Sequence, residues 1–174
     1  MIVIHATKKL RDRVRADPPP AGEDSTGLLG SWYANVLFVR PQLVLFVNET
    51  TLVPLLTPLA PAASLLDRFP AALGQLLAAH RLPRAFIDRE LAAADELRLA
   101  PTASRSVLGV MNEFAYLARH YLRDTQNPRD LLDVSLELGQ TPTRPLRDRH
   151  GFPDRELQAL AAQHGLRQAP GTHS

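Results

Sequence analysis

Residues 31–57 read SWYANVLFVRPQLVLFVNETTLVPLLT, and the way this stretch folds decides the rest of the chain. From Ser31 to Val39 the pattern has a period of two. Trp32, Ala34, Val36 and Phe38 fall on one face, and Tyr33, Asn35, Leu37 and Val39 on the other, as in a strand. Arg40-Pro41-Gln42 is a short turn, and the apolar run Leu43–Val47 suits a central strand. Asn48-Glu49-Thr50-Thr51 turns the chain again into a third strand, Leu52–Thr57. Pro54 cannot donate to a ladder, so it places this third strand at an edge or a bulge. Three strands on tight turns predict an antiparallel meander.

Before the meander, Met1–Ala6 reads as a strand, and Thr7 is placed to cap a helix from Lys8 to about Val14. Pro18, Pro19, Pro20, Gly22, Gly27 and Gly30 mark Asp17–Gly30 as a loop. After the meander the period changes to 3.6. Phe69, Leu73, Leu76, Leu77 and His80 form one helical stripe, with Pro70 in the first turn. A second helix opens at Pro83, and Glu96–Ala100 alternates like a strand. Ser104 or Ser106 caps a long helix to about Thr125, with Val107, Met111, Phe114, Ala118 and Tyr121 inward. Asn127 as cap, Pro128 at the first position and Asp130 two residues on announce a further helix that ends before Gly139. Its leucines surround the axis, which predicts burial. Gln140–Phe152 is a loop, Pro153–Gly165 a terminal helix, and Gln168–Ser174 a disordered tail. The expected fold is α+β. A mainly antiparallel sheet (the meander, the N-terminal strand and one later strand) is covered on one face by helices. Residues 1–146 form the domain, and 147–174 a C-terminal appendage.

The chain has 174 residues, enough for one core without a staple. It contains no Cys, which excludes disulfides, thiolate zinc sites and thiol nucleophiles. No apolar run is long enough to span a membrane, and the opening MIVIHATKKL has its cations after its apolar residues, the reverse of a signal peptide. The expected location is the cytoplasm, with no membrane partner. Apart from Lys8 and Lys9, every cation is an arginine. Lys8, Lys9, Arg11, Arg13 and Arg15 stand against Asp12 alone, making the N-terminal stretch the candidate basic patch. The competing reading is a solvated helix face.

No histidine pair has metal-ligand spacing, no phosphate-binding glycine loop occurs, and no Gly-x-Ser-x-Gly elbow is present. Neither a metal nor a cofactor is implied. The most informative polar pattern lies on the long late helix. Arg105, Gly109, Asn112, Tyr116 and His120 share one side, flanked by Arg119 and Arg123. They offer a guanidinium fork, an amide, a phenol and an imidazole beside a glycine. A second cluster is Trp32, Tyr33, Asn35 and Asn48. A third is His5 with Lys8 and Lys9 at a strand-to-helix junction, where main-chain N–H groups can hold an anion. The candidate binding residues are therefore Lys8, Lys9, Trp32, Asn35, Arg105, Asn112 and Tyr116.

Five segments resemble, in order, the blocks of an uncharacterised bacterial family, a domain of unknown function. They are His5-Ala6-Thr7-Lys8-Lys9-Leu10, Ser31-Trp32-Tyr33-Ala34-Asn35, Val47-Asn48-Glu49-Thr50-Thr51, Arg105-Ser106-Val107-Leu108-Gly109-Val110-Met111-Asn112-Glu113 and Thr141-Pro142-Thr143-Arg144-Pro145-Leu146. The family tends to carry Cys where this chain has Ala6 and His where it has Tyr33, which argues against thiol or imidazole chemistry at those two positions. The resemblance brings no activity with it. The leading functional reading is a small cytoplasmic binding or regulatory module, such as one partner of a bacterial two-protein, toxin–antitoxin-like system. It would use Lys8, Lys9 and Arg11 with the Arg105–Asn112 helix side. One alternative is an enzyme on a phosphorylated or nucleotide-like substrate. There Arg105 and Lys8 would hold phosphate, Asn112 would orient the substrate, and Glu113 or His120 would act as base. The other is a nucleic-acid-binding protein. The oligomeric state is not legible.

Overall fold

A computed structural model describes residues 1–123 and 129–168. Its strands are β1 (Ile2–Ala6), β2 (Trp32–Leu37), β3 (Leu43–Asn48), β4 (Pro54–Pro58) and β5 (Leu97–Pro101). They form one sheet in the order β4-β3-β2-β1-β5. The meander is as expected: β2 and β3 pair antiparallel from Trp32↔Asn48 to Leu37↔Leu43, and β3 and β4 from Val47↔Pro54 to Leu43↔Pro58. Pro54 does lie on an edge strand. The other half of the sheet corrects the expectation of a mainly antiparallel arrangement. β1 runs parallel to both β2 and β5, so the sheet is mixed. The cause is in the connections. A tight hairpin reverses the chain, whereas the long segment between Ala6 and Trp32 carries it back across the sheet before β2 begins.

The helices are α1 (Lys8–Arg11), α2 (Leu65–Ala79), α3 (Arg84–Ala93), α4 (Arg105–Tyr121), α5 (Leu131–Leu138) and α6 (Pro153–Gln168). They cover both faces of the sheet, not one. On the first face Ile4, Trp32, Ala34 and Phe46 pack with Leu10 of α1, Phe69 and Leu73 of α2, Phe86 of α3 and Leu157 and Ala161 of α6. Phe69 touches Trp32 edge-on at 5.8 Å between ring centroids and Phe46 at 4.8 Å. On the second face Tyr33, Leu37, Leu45 and Val47 meet Val107, Met111, Phe114 and Ala118 of α4. The physical reason is in residues 31–57 themselves. Both phases of the β2 and β3 alternation are apolar, so two faces need cover, each such side chain contributing about 1.5–3 kcal/mol on burial.

α5 explains its own all-round leucines. Val134 and Leu138 enter the second core, and Leu132 and Leu136 pack against the first. The helix thus wraps the β4 edge, and the Ser135 hydroxyl accepts the Leu56 N–H that the edge would expose (2.9 Å). Asp130, not Asn127, caps it, accepting from Leu132 N at 2.7 Å; Asn127 and Pro128 lie outside the described residues. Thr125 and 169–174 lie outside them too, and α4 closes at Tyr121. Ser104 is the α4 cap, its Oγ accepting from Val107 N at 3.2 Å. α2 begins a turn earlier than the stripe suggests, because a 3₁₀ turn at Ala62–Ser64 winds straight into it. Pro70 is consequently interior. α1 is a single turn, shorter than expected. No helix among the described residues is long and apolar enough to cross a membrane.

Candidate functional site

α4 begins and ends at two chemically different places. At its start, three separate segments meet beside the carboxyl ends of β1 and β5. The His5 ring stacks on Tyr33 at 4.8 Å, and its Nδ1 lies 2.9 Å from the Pro101 carbonyl. A carbonyl only accepts, so Nδ1 carries the proton there. The Tyr33 hydroxyl accepts from Ser104 N (3.1 Å), and Thr7 Oγ1 donates to Asn35 Oδ1 (2.7 Å), which also takes Val36 N (2.8 Å). Thr7 stands at the α1 N-cap position, but its hydroxyl serves Asn35 and does not cap. These groups satisfy one another.

The seven candidate residues scatter around this frame. Asn35 is part of the junction, and Lys8 and Arg105 belong to the helix starts beside it; both are exposed. Lys8 pairs with Asp12 at 2.8 Å on the surface, worth little in water. Lys9 lies over the Phe38 ring at 5.3 Å, away from the junction. Asn112 and Tyr116 line a shallow depression with Glu113 and Leu117. Trp32 is sealed at 0% exposure in the first core, on the opposite side of the sheet from α4. Trp32 thus shares no surface with Arg105 and Asn112, and the three do not line one concave pocket.

The far end of α4 is different. A groove of about 650 Å³ opens between the β2–β3 turn (Val39, Arg40, Pro41), the start of β3 (Leu43), the end of β4 (Pro58), the α4 C-terminus (Arg119, Leu122, Arg123) and the entry to α5 (Arg129, Leu131). Its floor is aliphatic, its rim carries four guanidiniums, and among the described residues no carboxylate lines it. Arg129 is steadied by Glu137 and lies 5.5 Å from the Tyr121 ring centroid. Cations suit the negative end of the α4 dipole, which accounts for Arg119 and Arg123 being tolerated there. It does not account for Arg40 and Arg129 converging on the same space from other elements. Lys9 and Arg13 reach the same β2–β3 turn from its other side, through Phe38 and Gln42. Arg119 and Arg123 were visible in the sequence only as flanks of a helix side. Arg40 lies 79 positions before Arg119, and the only local hint was its place in a turn before Pro41.

The titratable groups with displaced proton affinity lie elsewhere and hold the fold together. Burial raises the Glu90 carboxyl above the ordinary value, against the pull of the Leu28 and Leu29 N–H groups that bond its Oε2 at 2.6 and 3.3 Å. Gly27 leaves room for it: a Cβ there would come within 2.6 Å of Oε1. Burial lowers His80, while Asp154 opposes that shift. At Glu156 burial alone would raise the carboxyl, but hydrogen bonds from the His150 N–H and imidazole, with the Arg149 guanidinium, outweigh it and hold it below its ordinary range. Among the described residues no group of three His, Asp or Glu is placed to hold a metal ion.

A sequence profile described as a domain of unknown function (DUF6933) matches residues 3–156. The chain belongs to that family. No curated protein and no solved structure matches it. The DUF6933 span contains the strand-end junction and every residue lining the arginine groove. It stops just before Leu157 and Ala161, which complete the first core.

Proposed function

We propose that this DUF6933 chain is a small binding module that takes an anionic ligand in the arginine-rimmed groove. One observation carries this reading. The groove brings four guanidiniums together over an apolar floor. Arginine stays charged, so it binds and orients but neither gives nor accepts a proton. A concave site with fixed positive charge over an apolar floor suits recognition of an anion.

Titration calorimetry with inorganic tripolyphosphate tests this. The wild-type chain should bind it with an affinity that falls as salt rises, and Arg119→Gln with Arg123→Gln should abolish most of the heat. Equal heat from wild type and the double variant would remove the groove from consideration.

A further inference from the structure

We infer that the occupant of the groove is a phosphorylated small molecule with an apolar or aromatic body, about the size of a nucleoside di- or triphosphate; this rests on the binding reading above. Two observations separate it from an acidic peptide, and a third from a bare phosphate. First, charge density: Glu137 pairs with Arg129, so among the described lining residues Arg40, Arg119 and Arg123 leave about three positive charges facing a space of about 650 Å³. A phosphate ester brings about −1.5 to −2 in one compact group with three acceptor oxygens. A peptide brings one charge per carboxylate and needs several residues to match. Second, an extended peptide commonly gains its affinity by adding a strand to a free sheet edge. The edge beside this groove is closed: α5 packs along β4, and Ser135 takes the Leu56 N–H. Third, the floor of Val39, Leu43, Leu122 and Leu131 offers aliphatic surface that a bare phosphate would leave unused but a ring or hydrocarbon body would cover.

The described lining residues include no histidine, and His120 beside Arg119 would only strengthen anion binding on gaining a proton, so a loss of binding at lower pH is the ligand's. A terminal phosphate gains its second charge near pH 6, whereas peptide carboxylates stay ionised down to about pH 4. Binding that weakens as pH falls from 7 to 5.5 therefore reports a phosphate.

The experiment is calorimetric titration of the full chain with ATP, ADP, adenosine, tripolyphosphate and a hexaglutamate peptide, at pH 7 and pH 5.5. ATP and ADP are expected to bind about tenfold or more tightly than tripolyphosphate, adenosine to give no signal, and the ATP affinity to fall at pH 5.5. Arg119→Gln with Arg123→Gln should cost about a hundredfold, at roughly tenfold for each charged hydrogen bond lost. Lys8→Gln should behave as wild type. Tripolyphosphate binding as tightly as ATP would overturn the inference, because the body would then contribute nothing. Hexaglutamate binding where ATP does not would overturn it while leaving the anion-binding reading intact. No response to any anion would overturn both.

Discussion

The two ends of α4 carry comparable numbers of polar groups and put them to opposite use. At the N-terminal end Ser104, Tyr33, His5, Thr7 and Asn35 bond to one another or to main chain, and that end forms a joint between β1, β2 and β5. At the C-terminal end Arg119 and Arg123 join Arg40 and Arg129 around open space. Polar residues aligned on a helix do not by themselves make a site. What matters is whether the fold spends them on its own backbone or turns them toward a volume something else can fill.

That contrast can be broken most forcefully in the middle of the helix. Phe114 is fully buried in the second core, so Phe114→Ala should cost about 3–5 kcal/mol in chemical denaturation and weaken both ends together. Retention of wild-type stability would mean that α4 is not anchored as described. The Arg119→Gln, Arg123→Gln pair should show the reverse profile, with the melting temperature nearly unchanged and anion affinity lost. The side chains are exposed and pack little.

Glu90 offers a titration of the spent kind. Its folded-state carboxyl holds a proton more tightly than in the unfolded chain, so the folded state binds more protons just above the ordinary value of 4.5. The corresponding stability is fully present below that pH and is lost as pH rises through the folded-state value. Glu90→Gln keeps an acceptor for Leu28 and Leu29 N–H and removes the charge. The variant's melting temperature should therefore gain on wild type as pH goes from about 4.5 to 7; a constant difference would contradict the assignment. The smallest effect is expected at Ser104. Losing the cap in Ser104→Ala should cost about 1 kcal/mol with anion binding untouched, measured by denaturation and calorimetry together.

The meander, the order of most elements and the α4 stripe were legible because period-two and period-3.6 patterns report directly on which side of an element is buried. Strand direction was not legible in β1. Met1–Ala6 looks the same whether its neighbour runs parallel or antiparallel, and only the crossover through residues 7–31 decides. The second helical layer was implicit in Tyr33, Leu37, Leu43, Leu45 and Val47, which needed a cover that a one-face reading leaves out. The groove was the least legible feature. Its arginines come from the β2–β3 turn, the last turn of α4 and the stretches just after α4 and just before α5, and no sequence interval between Arg40, Arg119 and Arg129 encodes their meeting.

The most direct measurement is amide chemical-shift mapping of the isotope-labelled chain during titration with ATP. The account predicts shifts concentrated at the amides of Val39, Arg40, Gln42, Leu43 and Leu59, of Arg119–Arg123 and of Arg129–Leu131, with His5–Lys9 and Ser104–Asn112 quiet. Shifts centred on the strand-end junction, with the arginine groove silent, would contradict it.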